Sequence, residues 1–353
     1  MNDTINNTIL NQFRLLSLPV RTTRWGEGHI HETWLVETGD HRPDYILQKI
    51  NGNVFRNIPG MMQNIEAICL HFRAKLSVMP GHDPDKEALA LIYTRQGKAW
   101  HEDEEGSCWR MYVFIPDTVI YQKMTDPGLA FEAGRAIGNF QAMLSDLETP
   151  LVDTIPDFHN INFRISQYYQ AKGNDPKKRL FSIPEEIRFV EERFNSVRTY
   201  YDNLKEKAVP RATHNDTKVN NVLFDRNDKA LCLIDLDTVM PGYVHFDYGD
   251  ALRTMSNTAL EDEPDLSKVQ FNRPVYESFT HGYLQEVGAF LNADEITMLP
   301  YAPIYLTFII GLRFLTDYLN GDIYFRIHHP DHNLERARVQ FKLVAEMELA
   351  LDY

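Results

Sequence analysis

The chain has 353 residues, a formal net charge of -14 and a pI near 5.4. That length buries a large core and suits two domains or one two-lobed unit, while the single-sign acidic charge argues against nucleic-acid and anionic-membrane partners by repelling phosphates. Cys69, Cys108 and Cys232 lack metal-ligand spacing and predict no disulfide framework, as expected of a reducing, cytoplasmic setting.

The polar start, Met1 to Asn7, lacks the basic and apolar regions of a signal peptide. Trp25 to Val36 reads as strand, turn, strand, with Gly26 and Gly28 in the turn. Two glycines there let backbone amides approach a phosphate, although the same spacing serves a plain hairpin. Tyr45 to Ile50 reads as a third strand and Ile58 to Leu76 as a helix, with Ile65, Ile68, Cys69 and Phe72 at helical spacing. Lys49 on the strand and Glu66 on the helix match the kinase arrangement, in which a lysine meets the nucleotide phosphates and pairs with a glutamate. Two solvated charges are the plainer alternative, and strand alternation leaves open whether Lys49 or Gln48 faces inward. Trp109 to Ile115 reads as a further strand ended by Pro116. In a two-lobed kinase the hinge falls here, and Tyr112 and Phe114 become the expected adenine contacts.

Beyond Pro116 the pattern is mainly helical. Asp126-Pro127 predicts a helix start, followed by an apolar stripe of Phe131, Ile137, Phe140, Leu144 and Leu147. Lys172 to Lys178 reads as a polar loop, and Ile187, Val190, Phe194 and Val197 mark another amphipathic helix.

Thr213 to Asn221 then sets His214, Asp216 and Asn221 in an HxDxxxxN pattern, with Asp235 fourteen residues after Asn221. A carboxylate to receive a hydroxyl proton, plus an amide and a carboxylate for magnesium, is the apparatus of a phosphoryl transferase. Val222-Leu223-Phe224 and Leu231 to Ile234 are strand-like runs flanking a turn-rich Asp225 to Asp228. The hairpin predicted from them brings Asn221 and Asp235 to its open end, one short loop from Asp216. Oxygen ligands of this kind suit a hard cation. A surface hairpin carrying a DxD is the plainer reading of the same residues.

Ile296 to Leu312 is the least charged stretch; Pro300, Pro303 and its length favour a buried helix over a membrane span. Arg313 and Asp317 are the only charges between Ile296 and Gly321. They predict either a structural ion pair or a guanidinium that Asp317 turns toward a polyol. His328-His329-Pro330-Asp331-His332 fits no common zinc spacing and reads as a surface loop.

The motif, the strand order and the hinge resemble the aminoglycoside phosphotransferase and choline kinase superfamily. The strings Leu231 to Gly242, Phe246 to Arg253, Gly311 to Leu319, Gly321-Asp322 and Tyr324-Phe325 resemble the N-acetylhexosamine 1-kinase family within it, over nearly the whole chain. The resemblance implies an α+β, two-lobed protein-kinase-like fold. Residues 1–115 would form a small antiparallel-sheet lobe with one helix, and residues 116–353 a mainly helical lobe. It further implies ATP and magnesium as cofactors and a small sugar as the other partner, with phosphorylation at the anomeric hydroxyl. By that likeness Asp216 is the catalytic base, and Asn221 and Asp235 hold magnesium. His29, Glu32, Lys218, Asp235, Arg313 and Tyr324 become the sugar contacts, and Asp247 the prop of the catalytic loop. Glu32 departs from the family's expected aspartate, and its extra methylene displaces the carboxylate.

Overall fold

The computed structural model describes residues 7–26, 30–39 and 43–353. The fold is mixed α+β: an antiparallel sheet dominates the N-terminal region and helices the remainder. It divides into two compact units. The first comprises Met1–Thr118, Asp146–Ile155 and Ile234–Met240; the second comprises Val119–Ser145, Pro156–Leu233 and Pro241–Tyr353.

The first unit contains α1 (Asn7–Leu10), β1 (Pro19–Arg24), β2 (Glu32–Thr38), β3 (Tyr45–Ile50), α2 (Ile58–Val78), α3 (Pro84–Glu87), β4 (His101–Glu102) and β5 (Cys108–Val113). Its five strands run antiparallel in the order β1-β2-β3-β5-β4. Alternation gives the sheet two unlike faces. One buries Trp34, Val36, Tyr45, Leu47, Trp109 and Met111 with Ile9, Leu10 and Phe13. The register sets Thr33 opposite Gln48 and Gln48 opposite Arg110, so these polar residues share the other face. Helix α2 starts at Asn57, whose Oδ1 accepts the Gly60 N–H at 3.1 Å.

A single boundary after Ile115 would leave out two later segments, and Asn64 explains why they belong here. This fully buried α2 residue donates to the carbonyls of Val152 and Val239 at 2.8 and 2.9 Å. Its Oδ1 accepts the Val152 N–H at 2.8 Å. One saturated amide therefore fastens both segments to the helix.

The rest of the chain forms β6 (Thr118–Val119), α4 (Pro127–Leu144), α5 (Ile161–Asn174), α6 (Pro184–Lys207), β7 (Arg211–Thr213), β8 (Val222–Asp225), β9 (Ala230–Leu233) and β10 (Met240–Gly242). Helices α7 (Val244–Met255), α8 (Arg273–Val287), α9 (Ala293–Met298), α10 (Ala302–Leu319) and α11 (His332–Leu351) follow. Asp126 caps α4 by accepting the Leu129 N–H at 3.0 Å. A Cβ on Gly134 of α4 would collide with the Phe279 carbonyl, and one on Gly282 of α8 with the Phe131 carbonyl, so these helices touch backbone to backbone. The run Ala293–Leu319 is long and apolar enough to cross a membrane by length and composition, yet 72% of its most apolar window is buried within the protein.

Two expectations need correction. Lys172 to Asn174 form the last turn of α5 rather than a loop, because the buried stripe of Ile165, Tyr168 and Ala171 extends the helix to them. The chain turns only afterwards, at the positive-φ residues Asp175 and Lys178. The histidine segment is not wholly a surface loop either: His332 begins α11 buried, its Nδ1 accepting the His328 N–H at 3.2 Å.

Candidate active site

The segment carrying His214, Asp216 and Asn221 leaves β7 at Thr213 and turns at once. Asn215 takes φ 65, a left-handed value that Asn tolerates better than most residues. The turn is held by Asp247 of α7. Its Oδ2 accepts the His214 N–H at 3.0 Å, and its Oδ1 accepts that of Asn215 at 2.7 Å. Gln141 also donates to Oδ2, at 2.9 Å, and Tyr283 donates to Gln141 Oε1 at 2.5 Å. The Thr217 hydroxyl donates to the Asp247 carbonyl at 2.5 Å. From the opposite side, His159 Nε2 meets the Asn215 carbonyl at 3.2 Å. A carbonyl only accepts, so the proton sits on Nε2.

These contacts present Asp216. Lys218 donates to Asp216 Oδ2 at 2.8 Å, and the Asn221 amide donates to the same oxygen at 3.2 Å and to the Asp216 carbonyl at 2.8 Å. Oδ2 is thereby engaged, and Oδ1 receives no hydrogen bond from the described residues. Burial alone would raise the Asp216 carboxyl; the Lys218 ammonium, with His214 and Arg253, outweighs it and holds the group below the ordinary aspartate value. Such a carboxylate is ionised at neutral pH and a weak base. It suits aligning a hydroxyl better than stripping its proton in advance. Because the Asn221 nitrogen is committed to Asp216, its Oδ1 is the end free to act as a hard-cation ligand.

Strands β8 and β9 pair antiparallel with Val222 opposite Leu233, so Asn221 precedes and Ile234 follows the same end of this hairpin. Asp235 comes next in the chain, at φ 64 and ψ 56, in the left-handed region like Asn215.

In the first unit, ligand atoms of His31, Asp235 and Asp237 lie within 4.8 Å of one another. Two of the three are tied to other residues of this unit. Asp237 is clasped by Arg110, whose Nη1 reaches Oδ1 and whose Nη2 donates to Oδ2 at 2.9 Å; His31 Nε2 also meets Oδ2. His31 Nδ1 accepts the Asn51 N–H at 3.0 Å, which leaves the proton on Nε2. Arg110 Nε donates to Gln48 Oε1 at 2.9 Å, and Gln48 Nε2 to Thr33 Oγ1 at 3.3 Å. Burial would raise the Asp237 carboxyl, but Arg110 and His31 hold it far below its ordinary value.

Several expected contacts lie elsewhere. Lys49 belongs to the apolar face of the sheet, its ammonium 5.5 Å from the Trp109 ring centroid, while Gln48 occupies the polar face. Glu66 does not pair with it; the Tyr93 hydroxyl bonds to Glu66, and burial together with that carboxylate pushes Tyr93 up to about 12. Glu32 is exposed, ion-paired to Arg24 at 2.7 Å and opposite Lys49 in the register, so it too is on the face away from Gln48. Tyr112 is buried beside Arg110, and Phe114 meets Trp25 edge-on at 5.6 Å, next to Gly26 at φ 74. Gly28 and His29 lie outside the described residues.

Arg313 does not pair with Asp317. Asp317 accepts the N–H groups of Ile323, Tyr324 and Phe325 at 3.0, 2.9 and 2.9 Å and shapes that loop instead. The Arg313 guanidinium lies among the rings of Phe158, Tyr324 and Phe325, at 5.3, 5.8 and 5.5 Å. A second cation lies close by. Arg164 Nε and Nη2 donate to the Phe158 carbonyl at 3.2 and 2.6 Å. Burial, then the charge of Arg313, lowers Arg164 to about 9. Burial and the same charge lower His159 to about 3. Among the described residues neither arginine forms an ion pair with a carboxylate. Sequence reasoning missed His159, Arg164, His31, Arg110 and Asp237. Only the second Asp of Ile234-Asp235-Leu236-Asp237 carried a local signal.

A family model described as the phosphotransferase enzyme family matches residues 21–280. Among solved structures, a microcompartment-associated aminopropanol kinase is similar at 15% identity and a TM-score of 0.65, over 98% of both chains. A spectinomycin phosphotransferase, in complex with ADP and spectinomycin, is similar at 14% identity and a TM-score of 0.57, over 94% of this chain and 92% of that one. A choline kinase from Streptococcus pneumoniae is similar at 13% identity and a TM-score of 0.54, over 94% of each. At identities this low, the likeness shows the fold alone.

Proposed function

The chain belongs to the phosphotransferase enzyme family, and from that premise we propose that it transfers the γ-phosphate of ATP to the anomeric hydroxyl of N-acetylhexosamines, giving their 1-phosphates. Asp216 Oδ1 accepts the hydrogen bond of the acceptor hydroxyl and aligns it for in-line attack. Lys218 keeps that carboxylate ionised. Asn221 and Asp235 would hold magnesium, whose charge would offset that of the phosphates. Positioning and charge neutralisation account for most of the acceleration.

One observation carries the choice of acceptor. Around Phe158 the second unit gathers Arg164 and Arg313, neither ion-paired to a carboxylate among the described residues, with the exposed Tyr324 ring beside them. Guanidinium donors and aromatic faces suit a neutral polyol, since the fork reaches hydroxyl and acetamido oxygens and the ring covers C–H faces. The same two cations repel cationic acceptors, protonated amines and quaternary ammonium ions alike. That weighs against choline, aminoglycoside or aminopropanol acceptors, although solved relatives carry those names.

A substrate panel tests the reading: N-acetylglucosamine, N-acetylgalactosamine, choline and spectinomycin, with ADP release as the readout and product analysis for the phosphorylated position. The N-acetylhexosamines are expected to outpace both amines and to yield 1-phosphates. Preference for an amine, or a 6-phosphate product, would sink the assignment. Magnesium-dependent ATP turnover with sugar also separates an enzyme from a non-catalytic nucleotide-binding module of this fold.

A further inference from the structure

The side chains of Arg110 and Asp237 are 1% and 2% exposed and that of His31 6%, and all three belong to the first unit. Burying such an ion pair costs desolvation that well-packed apolar residues of similar size avoid, so stability alone does not account for it. Its position suggests another account. Asp237 follows Asp235 by two residues, and Asp235 is a non-glycine residue at φ 64. Aspartate tolerates the left-handed region better than most residues but at some cost in free energy, so contacts that hold the turn bear directly on it. Both Asp237 oxygens are held by the Arg110 fork of β5, and Oδ2 also by His31, itself fixed by the Asn51 N–H. Arg110 is in turn oriented by Gln48 of β3. The polar face of the sheet thus grips the side chain two residues after Asp235 through a bidentate contact, which fixes orientation as well as distance.

We propose that Arg110, Asp237 and His31 are positioning residues for the metal: they lock the turn that presents the Asp235 carboxylate and do not themselves touch metal or phosphate. All three Arg110 nitrogens donate to Asp237 or Gln48, both Asp237 oxygens accept from Arg110 and both His31 ring nitrogens have partners, so the three side chains are already spent on holding one another and the turn. The polar sheet face, where a strand lysine would meet phosphates, instead uses its cation to tie down the metal loop.

The inference rests on the proposed role of Asp235 as a metal ligand, and the test separates the two. Mn²⁺ binding to the ADP complex is measured by the electron paramagnetic resonance of free Mn²⁺, alongside the melting temperature. Removing both partners of a buried pair spares the fold the penalty of an orphaned charge. The paired variant Arg110→Met with Asp237→Leu is therefore expected to melt near the parent and to bind Mn²⁺ about 10- to 100-fold more weakly, the range typical of lost partners behind a ligand. His31→Asn leaves the Arg110–Asp237 pair in place and is the milder probe, expected to weaken Mn²⁺ in the same direction. A merely structural tie would move melting without moving Mn²⁺ affinity. Parent-like Mn²⁺ binding in both variants, while Asp235→Asn abolishes it, overturns the positioning role. Parent-like binding in Asp235→Asn overturns the ligand assignment itself.

Discussion

Asp247 accepts the backbone N–H of Asn215 at 2.7 Å from a position that solvent does not reach. No cation is paired with this carboxylate at contact distance among the described residues. Burial pushes its pKa up, and the imidazole of His214, the N–H groups of His214 and Asn215 and the Gln141 amide work against that. Asn215 in turn carries Asp216 into place. Asp247→Asn presents an amide NH₂ to one of the two loop N–H groups and orphans it, at a cost of about 1–3 kcal/mol. The expected result is a lower melting temperature and turnover reduced about 10²-fold, the price of a catalytic group misplaced by roughly an ångström. Parent-like turnover would show that the loop does not depend on this carboxylate.

Asp216→Asn keeps the shape and removes the acceptor charge. Turnover should fall by about 10² to 10⁴-fold, with the fold unchanged by circular dichroism. Lys218→Met makes a subtler change. With the ammonium at 2.8 Å gone, burial dominates and the Asp216 carboxyl rises. The acid limb of kcat/KM should therefore move to higher pH in Lys218→Met, and an unmoved limb would mean that Asp216 does not set it.

How much of this the sequence carries depends on the range of the forces involved. The Asp126 cap, the β8–β9 hairpin and the HxDxxxxN loop arise from contacts within a few residues, and all were legible. Strand parity was not. Whether Lys49 or Gln48 turns toward the polar face depends on which face Ile9, Leu10 and Phe13 cover, and that contact lies far along the chain. The Arg110–Asp237 and His31–Asp237 contacts span 127 and 206 positions and left only a DxD as a trace. Arg313 and Asp317 mislead for the opposite reason. Four-residue spacing puts them on one helix face, but three backbone N–H groups of the following loop claim the carboxylate.

That loop sets up a prediction for the acceptor. Asp317 shapes Ile323 to Phe325 and so holds the Tyr324 and Phe325 rings beside Arg313. Arg313→Lys retains the charge but loses the planar fork. KM for the sugar should rise about 10- to 100-fold, equivalent to one or two hydrogen bonds to a charged donor, while KM for ATP stays unchanged. A matching rise in both constants would mean that the variant damages the fold and not the acceptor contacts.

His159 makes stability depend on pH in a stated direction. Burial first, and then the charge of Arg313, depresses its pKa from 6.5 to about 3, and its neutral Nε2–H supports the Asn215 carbonyl. Between those values the unfolded chain binds the proton and the folded one does not. The stabilising contribution is therefore complete above about pH 6.5 and is lost as the pH falls toward 3, at about 1.4 kcal/mol for each unit. His159→Gln removes the titration while its amide can still donate to the carbonyl. The parent should lose unfolding free energy between pH 6.5 and 4.5 in urea titrations, and His159→Gln should lose less over the same interval. Buried His245, lowered to about 4 by burial, titrates in both proteins and cancels in the comparison. Equal slopes for parent and variant would mean that His159 is protonated in the folded protein, and the Nε2–H contact to Asn215 would no longer fix its tautomer.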